Sequence, residues 1–163
     1  MGTTTTLVML REGWLLYAHV GDSRAYTLGR DIKQITRDHS YVQELVKLGM
    51  ITPEEARVHP HRNQITRAMG VEPDVRVDSG VQKYTGQRVL LCSDGLVGEL
   101  EDSEIKEIAT GKDPADAVRE LIELAKEHGG RDNITVVILD GKDMASDKSV
   151  YKKQQKASKG DNK

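Results

Sequence analysis

Three aspartates in this sequence stand at the ends of apolar, strand-like segments. Asp22 lies in Gly-Asp-Ser-Arg after one such segment, Asp94 lies in Ser-Asp-Gly after a second, and Asp132 lies in Arg-Asp-Asn before a third. Because strand ends are rigid, side chains at these positions can be directed at a common point. Carboxylates that converge repel one another unless a cation lies between them. Hard oxygen ligands of this kind select Mg²⁺, Mn²⁺ or Ca²⁺ over Zn²⁺, so a site for such a divalent ion is one interpretation of the pattern.

A turn is the alternative interpretation of each aspartate taken alone. Asp and Asn are common in turns and helix caps, and a neighbouring glycine permits a tight backbone path. The residue types alone leave both a metal site and three ordinary turns open.

Other catalytic chemistries find little support in the sequence. A cysteine phosphatase would need Cys-x5-Arg, but Gly98 stands six positions after Cys92, which we expect to be a small core residue. The sequence has no Walker-type phosphate loop. Its histidines do not follow a common zinc spacing, and we expect His19 to be packed on a strand.

The elements that would position the aspartates begin with an antiparallel meander. Runs of β-forming residues at 3–10 and 14–20 flank a short turn, and runs at 24–28 and 32–36 flank another. The first run is typical of an inner strand, because it consists of β-branched and apolar residues.

The chain then changes to helical periodicity. Ser40 with Gln43, and Thr52-Pro53 with Glu55, are N-terminal capping signals for two short helices. Further strands are predicted at 75–81, 88–92 and 134–140, the last of them buried, and further helices around 105–109 and 113–125. Strands followed by helices and then by mixed elements are typical of an α+β fold with a largely antiparallel sheet.

Composition limits the class of protein further. The chain has 163 residues, of which 37% are hydrophobic and 31% charged, as in one soluble domain. A net charge of -2 argues against nucleic acid or an anionic membrane as the main partner. One cysteine permits no intrachain disulfide, so we expect a reducing, cytoplasmic location. No apolar run is long enough to span a bilayer, and residues 142–163 are predicted to be a disordered polar tail.

Five stretches, in order along the chain, resemble the type 2C (metal-dependent, PPM family) Ser/Thr protein phosphatases, most closely their bacterial members. GDSR or SDG alone would be a weak signal, but the ordered set is highly specific. The stretches are MGTT at 1–4, HVGDSRAY at 19–26, ITRDHSYVQELVKLGMITPEEARVHPHRNQITRAMG at 35–70, RVLLCSDGL at 88–96 and GGRDNITVV at 129–137.

The resemblance implies a fold and an activity. The fold would be a sandwich of two antiparallel β-sheets flanked by α-helices, with a metal cleft at one end. The activity would be hydrolysis of phosphoserine and phosphothreonine on proteins through a metal-activated water, with two or three Mg²⁺ or Mn²⁺ ions per complete domain. The substrates would be phosphoproteins, those of a Ser/Thr kinase.

The resemblance also implies roles for the aspartates. By motif, Asp94 and Asp132 resemble the carboxylates of the family's dinuclear centre, and Asp22 resembles the acid that binds a third, weaker ion together with Asp94. Asn133 would contact and orient Asp132 without binding the ion itself. Ser93 and Gly95 belong to the same group of supporting residues.

A mobile flap beside the cleft is the remaining functional element that the resemblance implies, at residues 40–63. Its candidates for contact with the phosphate or the leaving oxygen are His59, His61 and Arg62. The two histidines could instead do no more than end the preceding helix. Arg24 and Arg131 flank proposed ligands, and the sequence leaves open whether they pair with them or are solvated.

One part of the family pattern has no match in this chain. Family members carry an Asp-Gly-Met-Gly-Gly-like segment whose aspartate bridges both ions. We therefore expect residues 1–141 to be the C-terminal two thirds of a catalytic domain without its N-terminal part, weakly active or inactive alone. We also expect an open apolar sheet edge that permits self-association, or pairing with the missing segment on another chain. A non-catalytic module of the same fold, which binds phosphoproteins or a regulatory partner, is the alternative.

Overall fold

The computed structural model describes residues 1–141, and the predicted polar tail at 142–163 lies outside them. Two antiparallel sheets are stacked, with helices beside them. In chain order the elements are β1 (Thr5–Arg11), β2 (Trp14–Val20), β3 (Arg24–Leu28), β4 (Ile32–Gln34), α1 (Tyr41–Lys47), α2 (Pro53–Val58), β5 (Asp78–Lys83), β6 (Arg88–Cys92), α3 (Asp94–Val97), α4 (Asp102–Gly111), α5 (Pro114–Glu127) and β7 (Val136–Leu139). The predicted fold class is confirmed.

The four-stranded sheet carries the main core. Its strand order is β4-β3-β6-β7, and α4 and α5 pack on one of its faces. Leu90 of β6, Ile105 of α4 and Leu121 of α5 are completely buried in this layer. Each such side chain contributes roughly 1.5–3 kcal/mol by leaving water. This rigid layer holds the ends of β3 and β6, where Asp22 and Asp94 lie.

The three-stranded sheet has the order β1-β2-β5 and is less covered. Leu7 and Met9 of β1 pair with Ala18 and Leu16 of β2, so these apolar side chains share one face of the sheet. Leu7 is 55% exposed on that face. The sheet therefore presents apolar surface to solvent.

Three strand predictions need correction. The first strand was expected inside a sheet, but β1 lies at an edge and pairs with β2 alone among the described strands. The last was expected to be buried, but β7 is a sheet edge and Val137 is 46% exposed. The run at 75–81 is replaced by Asp78–Lys83, because pairing with β2 sets the register and leaves Val75 and Val77 outside the strand.

The hydrogen bonds confirm the capping box of Thr52 with Glu55 and the N-cap role of Ser40, whereas the reciprocal bond that a box of Ser40 with Gln43 would need is not formed within residues 1–141. Ser40 Oγ accepts from the backbone N–H of Gln43 at 3.3 Å and opens α1. Thr52 and Glu55 form a reciprocal capping box, with Pro53 at the first helical position of α2. Among residues 1–141, no helix has both the length and the hydrophobicity needed to cross a membrane.

Candidate metal centre

A cleft of about 700 Å³ is lined both by the three aspartates and by residues of the flap. Asp22, Asp94 and Asp132 all line it, although the first and the last of them are 110 residues apart in the chain. Val42 and Val46 of α1 contribute to its lining together with α2 residues. The structure therefore brings the predicted carboxylates and the predicted flap to one cavity.

The carboxylates influence one another across this cleft. Burial and then the negative charge of Asp94 raise the pKa of Asp22 to about 6. Burial and then the charge of Asp132 raise the pKa of Asp94 above its ordinary value. None of the three is in an ion pair with another residue of the 1–141 range. A hard divalent cation would relieve this repulsion, so the donor chemistry fits Mg²⁺ or Mn²⁺.

The coordination shell is nevertheless incomplete within this part of the chain. No three His, Cys, Asp or Glu side chains among residues 1–141 lie close enough together to hold one ion. A Mg²⁺-type site commonly takes one or two protein carboxylates and keeps several waters. Asp22, Asp94 and Asp132 could thus serve as ligands, but they need further oxygen donors.

Ser93 joins the loop of Asp94 to the loop of Asp132. Its Oγ donates to the carbonyl oxygen of Asn133 and accepts from the backbone N–H of Thr135, each at 3.0 Å. The backbone of Asn133 donates to Asp132 Oδ1 at 2.7 Å. The backbone of Asn133 thus contacts Asp132, where the sequence had suggested an orienting role for this residue.

Gly95 is required for the close approach of the same two loops. A Cβ atom at this position would lie 2.4 Å from the carbonyl oxygen of Asn133. Its backbone N–H also donates to Asp94 Oδ1 at 3.0 Å. Any larger residue would push the two aspartate loops apart.

Arg24 does not pair with the candidate ligands. Its guanidinium binds both oxygens of Asp38, with Nη2 at 2.8 Å from Oδ2, and it donates to the Tyr26 hydroxyl at 3.0 Å. Gln34 donates to the same carboxylate at 2.9 Å. Asp38 is buried and was not predicted from the sequence, since only the folded structure brings Arg24 and Gln34 to it. Its pairing with Arg24 leaves Asp22 without a salt bridge.

Arg131 is likewise held by a different acid. Its Nε lies 3.0 Å from Glu99 Oε1, and the Glu99 side chain is only 5% exposed. Glu99 also accepts from the backbone N–H of Arg131 at 3.4 Å. Sequence reasoning missed Glu99, which fixes the chain immediately before Asp132.

The flap residues divide into two groups. Arg62 lines the cleft, whereas His59 and His61 are not among its lining residues. The two histidines instead surround Tyr41, with each ring centroid 6.0 Å from that of the tyrosine. Arg57, which the sequence did not single out, connects α2 to the end of α3 and the turn after it. It donates to the carbonyl oxygens of Val97 and Leu100 and pairs with Glu101 at 3.0 Å.

Two residues expected in the core are found there. His19 is completely buried. Cys92 is also buried, and burial raises the pKa of its thiol to about 12. A thiol with so high a pKa is a poor nucleophile at neutral pH.

Comparisons with known proteins give the same family throughout. The sequence profile of the family "Protein phosphatase 2C" matches residues 1–139. Protein phosphatase PhpP of Streptococcus pneumoniae is 42% identical over 142 residues, which cover 85% of this chain and 58% of PhpP. The chain thus spans little more than half the length of this curated relative.

Solved structures agree in sequence and in fold. The crystal structure of Serine/threonine phosphatase Stp1 from Staphylococcus aureus matches with a TM-score of 0.80 and 41% identity, covering 84% of this chain and 55% of Stp1. The catalytic domain of serine threonine protein phosphatase PstP, in complex with two manganese ions, matches with a TM-score of 0.77 and 40% identity, covering 85% of this chain and 58% of that catalytic domain. This chain belongs to the protein phosphatase 2C family.

Proposed function

We propose that this chain takes part in metal-dependent hydrolysis of phosphoserine and phosphothreonine on proteins, with Asp22, Asp94 and Asp132 as ligands of Mg²⁺ or Mn²⁺. The observation that carries the proposal is the row of three carboxylates in one cleft, none of them in an ion pair within the described chain. Membership of the phosphatase 2C family supports the same reaction.

The chain's own residues would hold the reacting groups. Divalent ions, when bound, supply an activated water and neutralise charge on the phosphoryl group. Ser93 and Gly95 keep the loops of Asp94 and Asp132 together, so that the carboxylates face one cleft. Arg62 on the flap lines the same cleft and offers a positive charge to an incoming phosphate.

The number of ions and the substrates are also proposals. The manganese-bound PstP catalytic domain held two ions, and we propose two or three for a complete site here. We propose that the substrates are phosphoproteins made by a Ser/Thr kinase. A cytoplasmic location is proposed from the single, reduced cysteine.

We expect little activity from this chain alone. Within residues 1–141 the three aspartates do not complete a group that could hold an ion by itself. Weak ion binding would leave most molecules without an activated water, so turnover should be slow.

Self-association through the edge of the three-stranded sheet is part of the same proposal. The outer side of β1 has no strand partner within residues 1–141, and its only charged residue is the terminal Arg11. An uncharged edge strand is a template for another strand. We propose a second copy of this chain as that partner, with β1 paired antiparallel to β1.

Phosphate release from a phosphothreonine peptide, with and without Mn²⁺, tests the proposed reaction. We expect slow release that requires Mn²⁺ and is abolished by Asp94→Asn. Release that needs no metal, or that survives Asp94→Asn, would contradict the proposed site. Binding of Mn²⁺ and peptide without any release would instead favour a non-catalytic phosphoprotein-binding module.

A further inference from the structure

His39 makes two hydrogen bonds to one glycine. The backbone N–H of His39 donates to the carbonyl oxygen of Gly21 at 2.7 Å, and the backbone N–H of Gly21 donates to His39 Nδ1 at 3.0 Å. His39 is 3% exposed. Both main-chain polar groups of Gly21 are thus engaged by a single buried residue.

Gly21 is the residue on which the position of Asp22 depends. Its φ of +116° lies in the region that favours glycine, and a Cβ there would lie 2.4 Å from Thr4 Cγ2. It directly follows β2 and directly precedes Asp22. A rotation of the Gly21 peptide would therefore turn Asp22 away from the cleft.

The tautomer of His39 follows from its bond with Gly21, and a carboxylate lies on the other side of the ring. Since Nδ1 accepts from Gly21, the neutral ring carries its hydrogen on Nε2, which lies 3.2 Å from Asp78 Oδ2. Arg67 Nη1 donates to Asp78 Oδ1 at 2.8 Å and to the carbonyl oxygen of Arg76 at 3.1 Å. The same Nη1 lies 2.9 Å from Nε2, but its two hydrogens are directed to Asp78 and Arg76, so it does not donate to the ring. Asp78 is thus held by Arg67 beside the Nε2 edge of the His39 ring.

The arrangement resists a force that acts on Asp22. The negative charges of Asp94 and Asp38 both repel the Asp22 carboxylate. A loop joined to the sheet by a single flexible glycine would yield to that repulsion. Two hydrogen bonds to Gly21 oppose this movement.

We propose that His39 is a positioning residue for Asp22, acting through the Gly21 peptide and oriented by Asp78. Only the expected effect of His39 on metal binding rests on the proposed function. The hydrogen-bond arrangement itself can be tested in the metal-free chain.

His39→Asn and His39→Gln form a matched pair for this test. Asn places an acceptor near the position of Nδ1 and keeps the bond from Gly21, whereas Gln places its amide near Nε2 and keeps the bond to Asp78. Amide exchange at Gly21, measured by NMR, should be about tenfold faster in His39→Gln than in the wild-type chain. It should stay close to the wild-type rate in His39→Asn. Mn²⁺ affinity should fall about tenfold in His39→Gln alone.

The outcomes separate the two proposals. The role of His39 would be overturned if the Gly21 amide exchanged at the same rate in the wild-type chain and in His39→Gln. It would also be overturned if exchange at Gly21 became faster to the same extent in both variants. If the wild-type chain bound no Mn²⁺, the proposed metal site would fail while the exchange result still decided the His39 claim. If both variants failed to fold, NMR of the wild-type ring would decide. An unprotonated Nδ1 coupled to the Gly21 amide supports the proposal, and a protonated Nδ1 refutes it.

Discussion

Asp22 and Asp94 are acids whose ionised forms are disfavoured by their surroundings. Each is partly buried, and each faces another carboxylate across the cleft. Groups of this kind reduce the stability of the fold when no ligand is bound to them. The metal-free chain should therefore be less stable at neutral pH than a variant that lacks one of these charges.

Asp22→Asn should stabilise the metal-free chain at pH 8. The pKa of Asp22 is raised from 3.8 to about 6, so the folded state binds the proton more tightly than the unfolded state. Stability from this group is present at low pH and is lost as the pH rises through about 6. Asn carries no charge at any pH, so it avoids this loss of stability. The free energy of unfolding at pH 8 should rise by ~1–2 kcal/mol after allowance for solvent screening.

Urea unfolding with EDTA at pH 8 and at lower pH measures this effect. The gain should shrink as the pH falls toward 4, and the exposed control Asp74→Asn should show no such trend. A destabilised Asp22→Asn chain at pH 8 would show that the carboxylate makes a favourable contact instead.

At the scale of elements, the flap is attached to the remaining structure by few contacts. No residue of α2 is buried, so hydrophobic packing contributes little to its position. Arg57 instead reaches the carbonyl oxygens that end α3 and the turn after it. Since α3 begins at Asp94, one short helix connects a candidate metal ligand to the point where Arg57 holds the flap.

Arg57→Gln should loosen the flap without unfolding the chain. We expect several-fold faster amide exchange across α2, while α5 keeps its protection because its buried residues are untouched. Arg119→Gln is the matched control, since Arg119 is an exposed arginine of α5 that pairs with Asp116. Unchanged exchange in α2, or equal effects of the two variants, would show that Arg57 does not hold the flap.

Some elements could be predicted from the sequence because local signals define them. The strands at 14–20, 24–28 and 88–92 were predicted with the observed limits, since apolar runs and glycine turns determine them. The register of β5 depends on pairing with β2, a tertiary interaction. α3 has only four residues, too few for a helical period to be visible.

The candidate site divides in the same way. Asp22, Asp94 and Asp132 could be identified because they belong to motifs, and their roles as ligands remain predictions. The contacts of His39, Arg57 and Glu99 join segments far apart in the chain, for example residues 57 and 97. No sequence pattern indicates such pairs.

For the molecule as a whole, the two sheets are unequally covered. The four-stranded sheet lies under α4 and α5, whereas the three-stranded sheet exposes a patch of apolar residues. Trp14 is 46% and Val81 is 61% exposed on the face that also carries Leu7 and Met9. An apolar face beside an open strand edge is typical of an interaction surface.

The chain should self-associate as its concentration rises, with a mass in sedimentation equilibrium above that of the monomer. Met9→Lys should weaken this association, because it puts a charge on β1. Lys83→Glu, at the margin of β5, changes a charge without touching that edge and serves as the control. A chain that stays monomeric at every concentration would refute pairing through β1.

The proposed function depends most directly on the binding of a divalent ion by Asp22, Asp94 and Asp132. Titration of the ¹⁵N-labelled chain with Mn²⁺ tests this, since paramagnetic broadening locates even a weakly bound ion. We predict that the amides around these three residues broaden first, and that Asp94→Asn removes the effect. Broadening that begins elsewhere, for example near His59, or that is unchanged in Asp94→Asn, would contradict the proposed metal centre.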